Sequence, residues 1–237
     1  MRPSLAPEDL LVAETFGPTV QGEGPSSGQR ALFIRLMRCN LICPACDTPY
    51  TWDATRFDLT AQARPIAAAQ LLWWALGQDA ELVVITGGEP LMQQRRLVPL
   101  LAGLVQAGRR IEVETNGTIS PTPRLLELVA QFNVSPKLAG FGAGMSASRR
   151  IKPDALATFA ASGRAIFKFV LRTPAELDEV ADLARSYDLA PVWVMPEGAT
   201  AAAITERLRV LADPVIAHGF HLTTRLHVLA WGDQRGR

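Results

Sequence analysis

The segment ALFIRLMRCNLICPAC, residues 31–46, joins an apolar run typical of a buried strand to a loop that carries three cysteines. We predict a strand over residues 31–36, with Cys39, Cys43 and Cys46 directly after it. These are the only cysteines among the 237 residues, and an odd number is a poor disulfide framework. In a reducing compartment, clustered thiols more often bind metal or do chemistry. The segment therefore predicts a metal site on the loop that follows a strand.

The spacing of the three cysteines is tight enough for their thiolates to converge on one metal centre. A structural zinc site requires a closed shell of four ligands, and the three histidines, His218, His221 and His227, lie far along the chain. Three thiolates on a 4Fe-4S cluster would instead leave one iron without a protein ligand, and an open iron is reactive. Both interpretations stay open at this point.

Short β-branched and leucine-rich runs alternate with alanine- and leucine-rich segments of helical period, a pattern typical of βα units in a parallel sheet. We predict strands over residues 31–36, 82–86, 111–114, 132–135, 165–170, 192–195 and 226–229. We predict helices near residues 66–76, 95–106, 123–130, 174–187 and 200–211. About six strands is fewer than the eight of a closed barrel, so the sequence favours an α/β fold with an open partial barrel of the (βα)6 type.

The composition excludes several classes of protein. Lysine and arginine total 24 against 23 aspartate and glutamate, so no strong electric field draws the chain to nucleic acid or to an anionic membrane. The amino-terminal residues lack the apolar run of a secretion signal, and no stretch reaches the length of a membrane span. We therefore expect a cytoplasmic protein with a single domain over residues 1–237, of which residues 1–10 form a flexible tail.

Glycine and polar residues cluster directly after several predicted strands, where parallel α/β folds place their chemistry. Residues 86–90, Thr-Gly-Gly-Glu-Pro, follow the second strand, Asn116-Gly117 follows the third, and Ser135-Pro136-Lys137 ends the fourth. Glycines without side chains allow backbone groups to approach a ligand closely. These segments are candidate binding loops.

Cys39-x3-Cys43-x2-Cys46 on the loop after the first strand resembles the signature of the radical S-adenosylmethionine superfamily. From Glu14 to Trp231 the chain is also similar to the 7-carboxy-7-deazaguanine synthase family, enzymes of the pathway to queuosine and related deazapurines. The most specific parts are residues 16–24 with the Gln-Gly-Glu-Gly turn at residues 21–24, the run at residues 33–36, and residues 46–52, which begin with Cys-Asp-Thr. The resemblance implies the superfamily's open partial barrel, with the iron-sulfur cluster on the loop after the first strand.

The resemblance also implies roles for individual residues. Cys39, Cys43 and Cys46 would hold a 4Fe-4S cluster, and Thr48 would ligate Mg2+ together with substrate oxygens and water. The substrate-binding residues would be Val20, Gln21, Gly22, Arg35, Thr86 and His227. The residues that bind S-adenosylmethionine would be Ala45, Asp47, Gly88, Ser135, Pro136 and Lys137. Arg35 suits the substrate carboxylate, because its planar fork can bond both oxygens.

Two residues depart from the family pattern. Ala45 stands where the superfamily usually has an aromatic side chain that packs by the adenine, and Arg38 stands where this family commonly has glycine. The tail after His227 is longer than in some relatives whose terminal carboxylate meets the substrate, and that role is not carried over to this chain.

By this resemblance the chain is a lyase that converts 6-carboxy-5,6,7,8-tetrahydropterin to 7-carboxy-7-deazaguanine with release of ammonia. It would act with a flavodoxin- or ferredoxin-type electron donor, as a homodimer, and without nucleic-acid or membrane partners. One alternative is a glycyl-radical activating enzyme, which shares the cluster but would not need Gln21, Arg35 and Thr48 together. The other alternative is a non-catalytic zinc-binding module.

Overall fold

The computed structural model describes residues 9–237 and contains one nine-stranded sheet within that range. The strands are β1 (Asp9–Val20), β2 (Arg30–Leu36), β3 (Arg64–Ala67), β4 (Leu82–Gly87), β5 (Arg110–Thr115), β6 (Gln131–Val134), β7 (Ala165–Leu171), β8 (Val192–Pro196) and β9 (His221–Leu222). The helices are α1 (Leu59–Gln62), α2 (Ala68–Leu76), α3 (Gln94–Gln106), α4 (Pro123–Leu128), α5 (Ala147–Arg150), α6 (Pro153–Ala161), α7 (Leu177–Tyr187), α8 (Ala201–Ala217) and α9 (Leu226–Trp231). Short 3-10 helices span Gly24–Ser26, Pro49–Thr51, Pro90–Gln93 and Pro174–Glu176.

The strand order is β3-β1-β2-β4-β5-β6-β7-β8-β9. From β2 to β9 every neighbouring pair is parallel, whereas β1 pairs antiparallel with both β2 and β3. The edge strands β3 and β9 do not pair within residues 9–237, so the sheet stays open. This confirms the predicted α/β fold with an open, mostly parallel sheet. The cysteine loop follows β2, which is the first strand of the parallel set and the second strand of the described chain.

Alternation along the parallel strands separates an apolar face from a polar one. On β2, Leu32, Ile34 and Leu36 pack into the main hydrophobic core, where helices cover the sheet, whereas Phe33 and Arg35 point to the opposite, inner face. The same alternation brings polar side chains to the inner face of the next strands, namely Thr86 on β4, Glu112 and Glu114 on β5, Asn133 on β6 and Lys168 on β7. The inner face of the sheet therefore carries the polar and charged side chains that could take part in chemistry.

Six of the seven predicted strands are confirmed, with ends that agree within one residue. The predicted strand over residues 226–229 is wrong, because this run begins α9. A four-residue apolar run is too short for its period to distinguish a strand from a helix. The predicted helix near residues 66–76 begins only at Ala68, because Ile66 pairs with Leu10 of β1. The helix predicted near residues 200–211 continues to Ala217.

The structure contains six elements that the sequence did not predict, namely β1, β3, β9, α1, α5 and α6. In β1, Gly17-Pro18 and two register shifts opposite β2 interrupt the alternation that marks a strand. Residues 1–8 of the predicted flexible tail lie outside the described residues. Asp9 and Leu10 belong to β1, so the prediction is wrong for these two. No helix within residues 9–237 combines the length and the apolar character needed to cross a bilayer.

The buried side chain of Gln93 joins β1 to the end of β2. Its Oε1 accepts a hydrogen bond from Leu11 N at 2.8 Å, and its Nε2 donates to the carbonyls of Leu11 and Met37, each at 3.1 Å. We expect Gln93→Ala to lower the free energy of unfolding by about 2–4 kcal/mol, because it leaves Leu11 N and Met37 O unpaired in a buried position. Urea unfolding followed by circular dichroism measures this loss. The exposed Gln106→Ala at the end of α3 is the control, and an equal loss in both variants would contradict the assigned role.

Candidate active site

A cavity of about 650 Å³ opens at the carboxyl ends of the parallel strands. All but one of the predicted site residues line it, namely Val20, Gln21, Gly22, Arg35, Cys39, Cys43, Ala45, Cys46, Asp47, Thr48, Thr86, Gly88, Ser135, Lys137 and His227. The exception is Pro136, which is buried between Ser135 and Lys137 without lining the cavity. Residues from five separate segments of the sequence therefore meet in one space.

The three cysteines face this cavity from the loop after β2. Leu41 N donates to Cys39 Sγ at 3.4 Å, and Trp52 Nε1 donates to Cys46 Sγ at 3.3 Å. Burial raises the pKa of Cys39 to about 12 and also raises the pKa of Cys43. These two thiols are therefore protonated at neutral pH, and a metal would have to displace the protons to bind.

The three thiols share one cavity. Within residues 9–237, no three or more His, Cys, Asp or Glu side chains are grouped so that they could hold a single metal ion. A cluster takes each thiolate on a different iron, whereas zinc requires its ligands around one ion. Three thiols on one cavity can therefore each bind a different iron of a 4Fe-4S cluster.

Two glycines let the cysteine loop pack directly on the end of β4. A Cβ on Gly87 would lie 2.2 Å from Leu36 O, and a Cβ on Gly88 would lie 2.1 Å from Arg38 O. The backbone at Arg38 is tied on both sides, because Arg38 N donates to Thr51 O and Arg38 O accepts from Glu89 N, each at 2.8 Å. Arg38 has a φ of 76°, a region that favours glycine. This explains why glycine suits this position and why an arginine here is strained.

Glu89 connects the end of β4 to the end of β5. Its fully buried carboxylate accepts hydrogen bonds from Asn116 N at 2.7 Å, Leu91 N at 2.9 Å and Thr115 Oγ1 at 2.9 Å. Burial raises the pKa of the Glu89 carboxyl. Through these bonds Asn116 is held with its Nδ2 3.8 Å from Cys39 Sγ. The Glu89 carboxylate thus positions a polar neighbour of the cysteine loop.

Glu14 links Arg35 to the carboxy-terminal segment. Its Oε1 accepts from Arg35 Nε at 2.7 Å and from Tyr50 Oη at 2.8 Å, and its Oε2 accepts from Arg235 Nε at 2.7 Å. Burial opposes the charge on Glu14, but Arg35 and the other two donors hold the pKa of this carboxyl below its usual value. The Arg235 guanidinium also lies 4.0 Å from the centre of the Tyr50 ring. The negative charge of Glu14 therefore orients two arginines at the rim of the cavity.

A second charge network connects the turn after β1 to the cysteine loop. Glu23 pairs with Lys168 and accepts from Arg225 Nε at 3.2 Å. Arg225 Nη2 donates to Asp47 Oδ2 at 2.7 Å. Burial opposes the charge on Glu23, but Lys168 and Arg225 hold the pKa of its carboxyl well below the usual range. Since Asp47 follows Cys46, this network ties the cysteine loop to the carboxy-terminal part of the chain.

Hydrogen-bonding side chains from three segments form one wall of the cavity. Glu114 accepts from Gln21 Nε2 at 3.2 Å through Oε1 and from Thr86 Oγ1 at 2.7 Å through Oε2. His227 lies on α9 rather than on the predicted strand, and burial lowers its pKa. A Cβ on Gly22 would lie 2.0 Å from His227 Nδ1, so only glycine leaves room for this imidazole.

Sequence reasoning did not find Glu14, Glu23, Lys168 or Arg225 as site residues. Lys168 carries one usable signal, since it is a single charge inside the apolar strand Ala165–Leu171. A charge in such a run indicates an inward-facing polar position. The other three become recognisable only when distant segments come together.

The open parallel sheet and the three-cysteine loop at its carboxyl edge define an enzyme of the radical S-adenosylmethionine class. The chain is 36% identical to 7-carboxy-7-deazaguanine synthase of Pyrobaculum aerophilum over 230 residues, covering 96% of this chain and 97% of that one. It is 32% identical to the synthase of Hyperthermus butylicus, covering 93% of this chain and 92% of the other. The chain belongs to the 7-carboxy-7-deazaguanine synthase family.

Comparison with solved structures agrees with this family assignment. The crystal structure of QueE from Escherichia coli matches with a TM-score of 0.68 and 27% identity, covering 92% of this chain and 95% of that one. Streptococcus suis SuiB bound to S-adenosylmethionine matches at a TM-score of 0.57 and 14% identity, covering 81% of this chain and 50% of SuiB, and shows the fold alone. No protein-family model matches the chain. The family assignment decides against both alternatives raised by the sequence.

We expect Gly22→Ala to lower the free energy of unfolding by about 1–3 kcal/mol, because the added methyl group would overlap His227. Urea unfolding is the measurement. Gly77→Ala is the matched control, since a Cβ there meets nothing closer than 3.5 Å and its φ is −72°. If both variants were equally stable, Gly22 would not be needed to accommodate His227.

Proposed function

We propose that the chain converts 6-carboxy-5,6,7,8-tetrahydropterin to 7-carboxy-7-deazaguanine with loss of ammonia. The observation that carries this proposal is that the three cysteines, Arg35 and the turn at Gln21 and Gly22 face the same cavity. A cofactor held by thiols and a pterin carboxylate held by an arginine would meet there in a fixed orientation. The chain's family is named for this product, which supports the proposal.

Cys39, Cys43 and Cys46 would hold the 4Fe-4S cluster, and they leave one iron open because the chain has no fourth cysteine. When bound, the cluster and S-adenosylmethionine supply the 5'-deoxyadenosyl radical that takes hydrogen from the substrate. The residues we propose for S-adenosylmethionine are Ala45, Asp47, Gly88, Ser135, Pro136 and Lys137. Lys137 Nζ donates to Ser135 Oγ at 2.9 Å, so the two can be presented together to ribose and carboxylate oxygens.

Phe141 offers the aromatic surface that Ala45 does not provide. Its ring lines the same cavity and packs on the apolar group formed by Leu41, Cys43 and Met145. The centre of the ring lies 5.1 Å from Lys137 Nζ, so it is close to the residues proposed for the cofactor. We infer that Phe141 takes over the adenine contact.

For the substrate, the arrangement of Arg35 supports carboxylate binding. Only Nε of its guanidinium is bonded within residues 9–237, to Glu14 at 2.7 Å, which leaves the Nη groups for a ligand. Val20, Gln21, Gly22, Thr86 and His227 complete the proposed substrate site. The Glu114 carboxylate, already bonded to Gln21 and Thr86, can accept further N–H groups from a pterin edge. These contacts would orient the hydrogen that the radical removes.

We propose Mg2+ at Thr48. The Thr48 hydroxyl makes no capping bond to the following 3-10 helix, and within residues 9–237 its one hydrogen-bond partner is Cys46 Sγ, at 3.7 Å. Its lone pairs are therefore available on the cavity wall. Magnesium often takes one or two protein oxygens and completes its octahedral shell with substrate oxygens and water. A single hydroxyl is compatible with such a site.

We further propose a flavodoxin- or ferredoxin-type electron donor and a cytoplasmic homodimer in which residues 1–237 form one domain. The family resemblance supports the donor and the dimer, and the single sheet supports the one domain. The nearly balanced charge supports a small-molecule substrate in preference to nucleic acid.

The direct test is anaerobic reconstitution with iron and sulfide, followed by incubation with the carboxytetrahydropterin, S-adenosylmethionine, Mg2+ and dithionite. We expect the deazapurine chromophore and the product mass. The Cys43→Ala variant, treated in parallel, should give neither. Absence of product from the fully reconstituted wild-type protein would overturn the proposed function.

We expect Arg35→Lys to bind the pterin about ten- to a hundredfold more weakly, since lysine keeps the charge but loses the two-pronged hydrogen bond. Cofactor affinity should hardly change, because Arg35 is separate from the residues proposed for S-adenosylmethionine. Both affinities can be measured by calorimetry. Arg30→Lys on the same strand is the control, because Arg30 pairs with Asp79 at the surface. Equal losses for pterin and cofactor would indicate general damage to β2.

We expect Thr48→Val to need on the order of tenfold more Mg2+ for half-maximal rate, because valine keeps the shape of threonine but has no oxygen ligand. The cluster absorbance should stay unchanged. Thr48→Ser retains a hydroxyl and should titrate like the wild type. If the valine variant shared the wild-type Mg2+ titration, the ion would bind elsewhere.

A further inference from the structure

A second cavity, of about 370 Å³, lies outside the active site beside the end of β2. Arg38, Arg95 and Arg96, which we call the arginine cluster, line it together with Met92. No carboxylate lines this cavity among the residues that the structure describes. Since Arg38 directly precedes Cys39, the arginine cluster lies against the base of the cysteine loop.

The three arginines of the arginine cluster occupy positions that are unfavourable for arginine, either in backbone conformation or in electrostatics. Arg38 has a φ of 76°, which is unfavourable for a residue with a long side chain. Arg95 and Arg96 occupy the first turn of α3, where the helix dipole disfavours cations. Two separate segments that line the same cavity thus carry arginine at a locally unfavourable position. Such departures from local consistency are expected at functional sites.

Two of the three charges in the arginine cluster face solvent. Arg38 and Arg95 are exposed, and within residues 9–237 neither forms an ion pair or a side-chain hydrogen bond. Arg96 donates Nη1 to the carbonyl of Asp9 at 3.2 Å. Met92 adds an apolar side chain that is 45% exposed. Positive charge around an accessible apolar group suits a negatively charged protein partner that binds transiently.

We propose that the arginine cluster and Met92 form the docking surface for an acidic electron-transfer protein. This inference rests on the proposed function, which requires a reductant. Electron transfer between proteins needs a short separation, and Arg38 is adjacent in the chain to the first proposed cluster ligand, Cys39. In the docked complex the reduced donor loses one electron and the cluster gains it. Charge complementarity would accelerate encounter while the complex stays weak enough to separate.

The test uses a purified acidic bacterial flavodoxin with the reconstituted holoenzyme. The docking variant combines Arg38→Gly with Arg95→Gln. Glycine suits the φ of residue 38, and the loss of a cation from the first turn of α3 relieves an unfavourable dipole contact, so the variant should fold. The matched control combines Arg185→Gln with Arg209→Gln, two exposed arginines on α7 and α8 near the opposite edge of the sheet.

Three quantities are compared. These are flavodoxin affinity by calorimetry at low and high salt, the rate of cluster reduction by photoreduced flavodoxin, and product formation with dithionite. We expect the docking variant to bind flavodoxin about tenfold more weakly at low salt, and to lose most of the salt dependence. Reduction by flavodoxin should slow by a similar factor. Dithionite-driven turnover should match the wild type, and the control should match it in all three measurements.

Unchanged flavodoxin affinity in the docking variant would overturn the proposal, and so would an equal loss in the control. A loss of dithionite-driven turnover with intact flavodoxin binding would also overturn it, because the arginines would then act on the cluster itself. Failure of the proposed function is distinguishable, since the wild-type protein would then form no deazaguanine with dithionite while flavodoxin binding could still be measured.

Discussion

The close approach of the cysteine loop to the end of β4 is the constraint on which the site depends. Leu36 pairs with Gly87 in parallel register, and Arg38 O occupies the space that a Cβ on Gly88 would need. A larger residue at position 88 would push the loop away from the sheet. Because the loop lies this close, Cys39 comes within reach of Asn116 at the end of β5. Contact between backbone segments therefore sets the position of the cysteine loop in the site.

Paired charges on the inner face of the sheet then fix the geometry. A buried ion is costly unless it is neutralised and hydrogen-bonded, so each of these groups has a defined partner. Glu23 forms ion pairs with Lys168 and Arg225, and Arg225 also pairs with Asp47 beside the cysteines. The same pairing that makes the charges tolerable also ties the carboxy-terminal part of the chain to the loop. Stability and the placement of site residues are thus linked in this protein.

The sequence predicts what depends on local pattern. Apolar runs give six of the seven parallel strands to within a residue and miss only the two-residue β9, and motif matching gives a set of residues that nearly all line one cavity. The pattern fails at β1, where a Gly-Pro pair and register shifts interrupt the alternation, and at α9, which is too short to show a period. Pairs such as Glu23 with Arg225 or Glu14 with Arg235 join residues more than two hundred positions apart, and no local pattern reports them.

The central claim is that three cysteines on this loop hold a cluster whose open iron binds S-adenosylmethionine. The most direct measurement is electron paramagnetic resonance of the reduced, reconstituted protein, recorded with and without S-adenosylmethionine. The account predicts the signal of a reduced 4Fe-4S cluster, which changes shape when the cofactor is added. The absence of a cluster signal, or a cluster signal that is unchanged by the cofactor, would contradict it.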